Sequence, residues 1–197
     1  ITIGVTGNPT DAVVLRPNPE SGIAPLQVTF SVSAPRPVTQ VALDFDGNGS
    51  VDFQGASLDG QGFTYAQPGL YVASVAVTDS QGTRTNAAAI IQVFDRAQLD
   101  ALLQRKWADL KAALGRGDIP AAVSGIVVGQ QDKYQRAFQD LAPILPSVGA
   151  DLRGLTLISV VGGIVEYATT QDRDGGTFVH LVSFVQDTDG VWKILGM

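Results

Sequence analysis

Nine consecutive residues, Asp44-Phe45-Asp46-Gly47-Asn48-Gly49-Ser50-Val51-Asp52, set side-chain oxygens at the first, third, fifth and ninth places of one short segment. Calcium takes six to eight hard oxygen ligands, and Asp or Asn alternating with glycine lets a short backbone wrap round the ion. Gly47 and Gly49 can supply the positive φ angles that such a wrap requires. The twelfth place is Gly55, where an EF-hand carries its bidentate Glu. Any affinity is therefore expected in the range of extracellular modules, about 0.1–1 mM. A second reading stays open, because Asp-Gly and Asn-Gly pairs are also ordinary hairpin-turn chemistry.

The other residues able to do chemistry lie near the end of the chain. His180, the one histidine, alternates with Phe178, Val182 and Phe184 and so shares a strand face with aromatics. It could be a general base in a pocket or a core or pocket-wall histidine with one hydrogen-bond partner, and the second reading is preferred. Glu166 shares a face with Ile164 and Ala168, and Tyr167 takes the opposite face. Enclosed, Glu166 would be desolvated into an acid–base carboxylate; exposed at a rim, it would have no such role. Arg153 beside Gly154 could hold an anion at a pocket mouth, although a solvated loop arginine is the default. Asp187 and Asp189 read as turn formers. The absence of cysteine excludes thiol catalysis, disulfides and cysteine-ligated metals. No nucleophile–base–orienter set, phosphate-binding glycine loop or histidine metal motif is present. The inventory suits a non-catalytic binding or spacer protein; the enzymatic alternative is a small isomerase or hydrolase using Glu166 and His180.

Two kinds of periodicity divide the elements that would position these groups. Leu26, Val28, Phe30 and Val32 alternate with polar residues, as do Val41, Leu43 and Phe45, then Tyr71, Ala73, Val75 and Val77, then Ala89, Ile91 and Val93. Period two with Pro, Gly, Asn and Asp clusters between short strands predicts a sandwich over residues 1–95. After Asp95, a helix N-cap candidate, Leu99, Leu102, Leu103, Trp107, Leu110 and Leu114 recur at helical spacing up to Gly115. A short helix is expected from Asp118 with Pro120 in its first turn, and Tyr134, Phe138, Leu141 and Leu145 mark a third, ended by Pro146. Residues 155–161, 164–170, 177–186 and 191–195 then read as an antiparallel meander, so residues 96–197 form an α+β domain.

Charge follows the same division. The chain carries a net charge of −6, with three basic and eight acidic residues up to position 95 and ten basic and eleven acidic after it. No basic patch is large enough to track a phosphate backbone, so no nucleic-acid partner is expected. No apolar run reaches the roughly 18 residues of a membrane span. A first residue of Ile1 suggests a piece of a longer, processed protein.

Three ordered blocks, Ser21-Gly22-Ile23-Ala24-Pro25-Leu26-Gln27-Val28-Thr29-Phe30, Leu43-Asp44-Phe45-Asp46-Gly47-Asn48-Gly49, and Phe63-Thr64-Tyr65 through Tyr71-Val72 to Val77-Thr78-Asp79, resemble a PKD (polycystic-kidney-disease) repeat over residues 11–95. Leu43 departs from the Trp that family usually carries before the Asp. The resemblance implies an immunoglobulin-like sandwich, extracytoplasmic and bacterial, secreted or in the cell envelope, used as a spacer or for protein and carbohydrate contacts. The acidic segment also resembles the short calcium loops of extracellular repeat proteins, which would make Asp44, Asp46, Asn48 and Asp52 side-chain ligands and Ser50 a carbonyl ligand of a structural ion.

Trp107, Ala112-Ala113-Leu114, Gly117-Asp118, Tyr134, Phe138 and the hairpin Phe184-Val185-Gln186-Asp187-Thr188-Asp189-Gly190-Val191-Trp192-Lys193-Ile194 resemble the nuclear-transport-factor-like (SnoaL-like) cone superfamily over residues 97–197. That resemblance implies helices packed on a curved antiparallel sheet round a pocket, and a homodimer formed through this second domain.

Overall fold

Alternation becomes structure directly in β3 (Leu26–Ser33), where Val28 and Phe30 are buried and Gln27, Thr29 and Ser31 are exposed. The computed structural model describes residues 12–173 and 175–197. Residues 1–11, at the head of the segment read as a sandwich, and Asp174, within the segment read as a strand separator, lie outside the described residues. The chain is mostly β-sheet with several helices and divides into two compact units between Asp95 and Arg96.

The first unit contains a three-stranded sheet in the order β1 (Val14–Asn18), β3, β6 (Gly62–Tyr65). Its five-stranded sheet runs β2 (Ser21–Ile23), β8 (Arg84–Phe94), β7 (Gly69–Asp79), β4 (Val38–Asp44), β5 (Phe53–Gly55). Every pairing is antiparallel except that of β2 with β8. Leu15, Val28, Phe30 and Tyr65 from the smaller sheet meet Val41, Leu43, Ala73, Val75, Val77, Ile91 and Val93 from the larger in one core. Leu43 is fully buried there. Tyr71 pins the start of β7 by donating its hydroxyl to the Gln67 carbonyl at 2.9 Å.

The second unit opens with α1 (Arg96–Gly115), then α2 (Ile119–Ser124), α3 (Gln131–Asp140) and α4 (Leu145–Asp151). A four-stranded antiparallel sheet follows in the order β12 (Trp192–Gly196), β11 (Gly176–Gln186), β10 (Ile164–Arg173), β9 (Thr156–Val161). Val165, Tyr167, Val182, Phe184, Trp192 and Ile194 are buried on one side of this sheet, as are Leu99, Leu103, Trp107 and Leu110 of α1. Three long-range bonds tie α1 down, each at 2.9 Å: Trp107 Nε1 donates to the Arg153 carbonyl, Gln104 Nε2 to the Leu155 carbonyl, and the Tyr167 hydroxyl to Asp100 Oδ1.

Two helical expectations are corrected. Pro146 does not end the third helix; it stands in the first turn of α4, where a missing N–H costs nothing. Leu141 lies beyond the end of α3 and is 38% exposed, so it leaves the buried stripe.

Asp187 and Asp189 do more than turn the chain. Lys193 Nζ donates to Asp187 Oδ2 and to Asp189 Oδ2, each at 2.8 Å, and Asp187 Oδ2 also accepts the Val128 N–H at 3.0 Å. The Lys193 bond, then the N–H groups of Val128 and Thr188, hold the Asp187 carboxyl down to about 2. A folded-state value below the unfolded one gives stability that is present above about pH 4 and fades as pH falls through the folded value. We expect the second unit to lose stability between about pH 4 and pH 2. Asp187→Asn should flatten that limb, read by circular dichroism along an acid titration; an unchanged limb would show that the corner carries none of it.

Candidate metal centre

The acidic segment is the connection between β4 and β5. Leu43 pairs with Phe53, and the Asp52 N–H closes the loop on the Leu43 carbonyl at 2.9 Å. Phe45 anchors it from below. Its ring is buried against Phe30 and Phe63, with centroids 5.2 and 5.1 Å away, and its carbonyl accepts the buried Tyr65 hydroxyl at 2.7 Å. Gly47 lies against β7: a Cβ built there would stand 2.7 Å from the Val72 carbonyl oxygen, and its φ is +76°. Only glycine meets both demands.

Asp44, at the end of β4, is the hub. It is 7% exposed, and its Oδ1 accepts the Gly47 N–H at 2.7 Å while Oδ2 accepts the Gly49 N–H at 2.8 Å. Burial pushes its carboxyl up, but the N–H groups of Gly49, Gly47 and Asn48 together hold it below the ordinary value. It is ionised at neutral pH. Asp46 Oδ1 accepts the Asn48 N–H at 3.1 Å, Asn48 Oδ1 accepts the Ser50 N–H at 2.8 Å, and Asp52 Oδ2 accepts the Phe45 N–H at 2.8 Å.

These bonds satisfy the turn, and they leave a charge problem. One carboxylate oxygen from each of Asp44, Asp46 and Asp52 lies within 4.8 Å of the other two. Among the described residues, none of the three is ion-paired to a lysine, arginine or histidine. Like charges so close repel, and each carboxylate keeps acceptor lone pairs after its backbone bond. A hard divalent cation fits that donor set. The structure thus brings together Asp44, Asp46 and Asp52; Asn48 and Ser50 lie on the exposed arc of the same loop, joined to each other.

Glu166 and His180 are not brought together. Along the β10–β11 ladder Glu166 pairs with Ser183 and His180 with Thr169. Cross-strand partners share a face and successive residues alternate, so His180 belongs to the side of Thr169 and Tyr167, and Glu166 to the other. Glu166 Oε2 accepts the Ser159 hydroxyl at 2.9 Å on the outer surface. His180 is exposed, which corrects its reading as a core or pocket-wall histidine. A proton relay through this pair is therefore ruled out. Arg153 contributes its carbonyl, which accepts Trp107 Nε1 and the Thr169 hydroxyl.

No family model matches the chain, and no curated protein does. Among solved structures, one described as a carbohydrate-binding module of the β-sandwich superfamily with promiscuous specificity is similar at 25% identity and a TM-score of 0.32. The match covers 45% of this chain and 37% of that one.

Proposed function

We propose that this chain is an extracytoplasmic binding and spacer protein whose sandwich is stiffened by a calcium ion held in the Asp44–Asp52 loop. The observation that carries the reading is the convergence of three carboxylates, without a neutralising side chain, on a loop anchored by Phe45, Tyr65 and Gly47. The Tyr71–Gln67 bond adds support for an immunoglobulin-like sandwich, in which a tyrosine near the start of a strand bonds back a few residues upstream. The PKD-like blocks support a location outside the cytoplasm. Among the described residues no helix is long and apolar enough to cross a membrane. The outer side of the larger sheet exposes Leu70, Val72 and Ile90, aliphatic side chains without aromatic rings, which suits a protein partner better than a sugar.

The test is thermal unfolding of the chelated protein against calcium. At ten millimolar, roughly ten to a hundred times the expected dissociation constant, mass action should stabilise the sandwich by about 1.4–2.7 kcal/mol, or about 5–15 °C. No rise in Tm at that concentration would remove the metal.

A second feature favours self-association of the cone-like unit. Val161, Ile164, Val179 and Leu181 share the outer face of its sheet and are 67%, 40%, 67% and 58% exposed. Light scattering tests this reading, since a strict monomer at high concentration would refute it.

A further inference from the structure

We propose that Asn48 is a site of spontaneous covalent modification, deamidation through a cyclic imide formed with Gly49, and that the Asp44 carboxylate sets its rate. The chain has four asparagines. Asn8 and Asn18 precede prolines, whose nitrogen has no proton to lose and cannot close the ring. Asn86 precedes Ala87 inside the paired strand β8, opposite Ala76. Asn48 alone precedes glycine, on an exposed loop, and the space where Gly49 would carry a Cβ is open.

The chemistry needs only water. The Gly49 nitrogen attacks Cγ of Asn48, a new C–N bond forms, the bond from Cγ to Nδ2 breaks, and the Gly49 proton leaves with that nitrogen as ammonia. Water then opens the five-membered imide at one carbonyl or the other, leaving an aspartyl or an isoaspartyl residue. No electrons are exchanged, and no oxidant is required.

Two hydrogen bonds already bear on this step. The Ser50 N–H donates to Asn48 Oδ1 at 2.8 Å, so a donor sits where negative charge gathers as the ring closes. The Gly49 N–H donates to Asp44 Oδ2 at 2.8 Å, and a nitrogen whose proton is held by an ionised carboxylate is a restrained nucleophile. The electrophile is prepared and the nucleophile is locked. Asp44 is the lock, acting as a positioning residue. Release would put a fourth carboxylate into the loop of Asp44, Asp46 and Asp52. In the isoaspartyl form it would also lengthen the main chain beside Gly47, whose seat on Val72 has no slack.

The inference rests on the loop geometry and not on the metal, so the test is run in chelator. The full chain is incubated in mildly alkaline buffer and mapped by peptide mass spectrometry for replacement of ammonia by water, with an isoaspartyl assay alongside. Conversion is expected at Asn48 and not at Asn86 or the two Asn-Pro sites, and not in Asn48→Gln. Asp44→Asn, and wild type unfolded in urea, should both convert about tenfold faster or more than the native chain, because a charge-assisted bond no longer has to be broken first. Equal rates in native and unfolded chain, or in Asp44→Asn and wild type, would overturn the proposal. Should Asp44→Asn fail to fold, hydrogen exchange of the Gly49 amide in wild type decides: slow exchange supports the lock and fast exchange refutes it.

Discussion

Replacing Asp44 with alanine should abolish the calcium response and destabilise the sandwich by about 2–4 kcal/mol even in chelator, because two charge-assisted bonds from backbone N–H groups are lost at once. The side chain is nearly buried, and the Gly47 and Gly49 N–H groups it accepts have no other acceptor in the loop. Asp52→Ala separates the two roles. Asp52 is exposed and holds one N–H, that of Phe45, so its loss should cost only about 1 kcal/mol in chelator while still removing a carboxylate from the cluster. If Asp52→Ala kept the full thermal shift with calcium, the three carboxylates would not be the metal site. The same geometry fixes a pH sign. With its folded-state value depressed, Asp44 contributes stability that is present above the ordinary carboxylate range and lost as pH falls through the folded value. Asp44→Ala should therefore also blunt the acid limb of the first unit.

Much of this loop could be read from residue order alone. Asp-x-Asp-Gly-Asn-Gly after an alternating strand is a local signal, and the loop is built almost wholly from local bonds between residues two to seven apart. Its anchors were not legible, because Tyr65 and Val72 approach it only after distant strands pair. The fate of Glu166 and His180 illustrates the same division. Each residue's face within its own strand follows from parity, but the phase between strands needs the register. That register was available in principle: reading Asp174-Gly175 as a two-residue hairpin turn pairs Arg173 with Gly176, and counting back from there pairs Thr169 with His180. The bond from Tyr167 to Asp100 joins residues 67 apart and has no local signature. Pro146 misleads for a related reason, since proline both ends helices and opens them, and only the packing of α4 on α1 decides between the two. Gly149 permits that packing; a Cβ there would stand 3.0 Å from the Lys111 carbonyl oxygen.

Self-association gives the other large effect. Val179 and Leu181 lie on β11, an inner strand of the four-stranded sheet, and are exposed on the face opposite the buried Tyr167, Val182 and Phe184. Val161 and Ile164 lie toward the other end of the same face, with Glu166 and Ser183 between the two apolar groups, and exposed apolar groups of this kind mark contact sites. Two such sheets can pack face to face at about 10 Å, and a twofold interface presents every residue twice. Leu181→Asp would then bury two unpaired carboxylates per dimer, at several kcal/mol each, and weaken association at least a thousandfold. The isolated fold should hardly notice, because a residue 58% exposed has little packing to lose. Leu181→Thr introduces a β-branched side chain that suits a strand but carries less apolar area, and should fall between. Sedimentation across a concentration series, with unfolding curves for each variant, reads both quantities. A dimer that survives Leu181→Asp at wild-type affinity must use another surface, and the exposed face of this sheet would then need a different occupant.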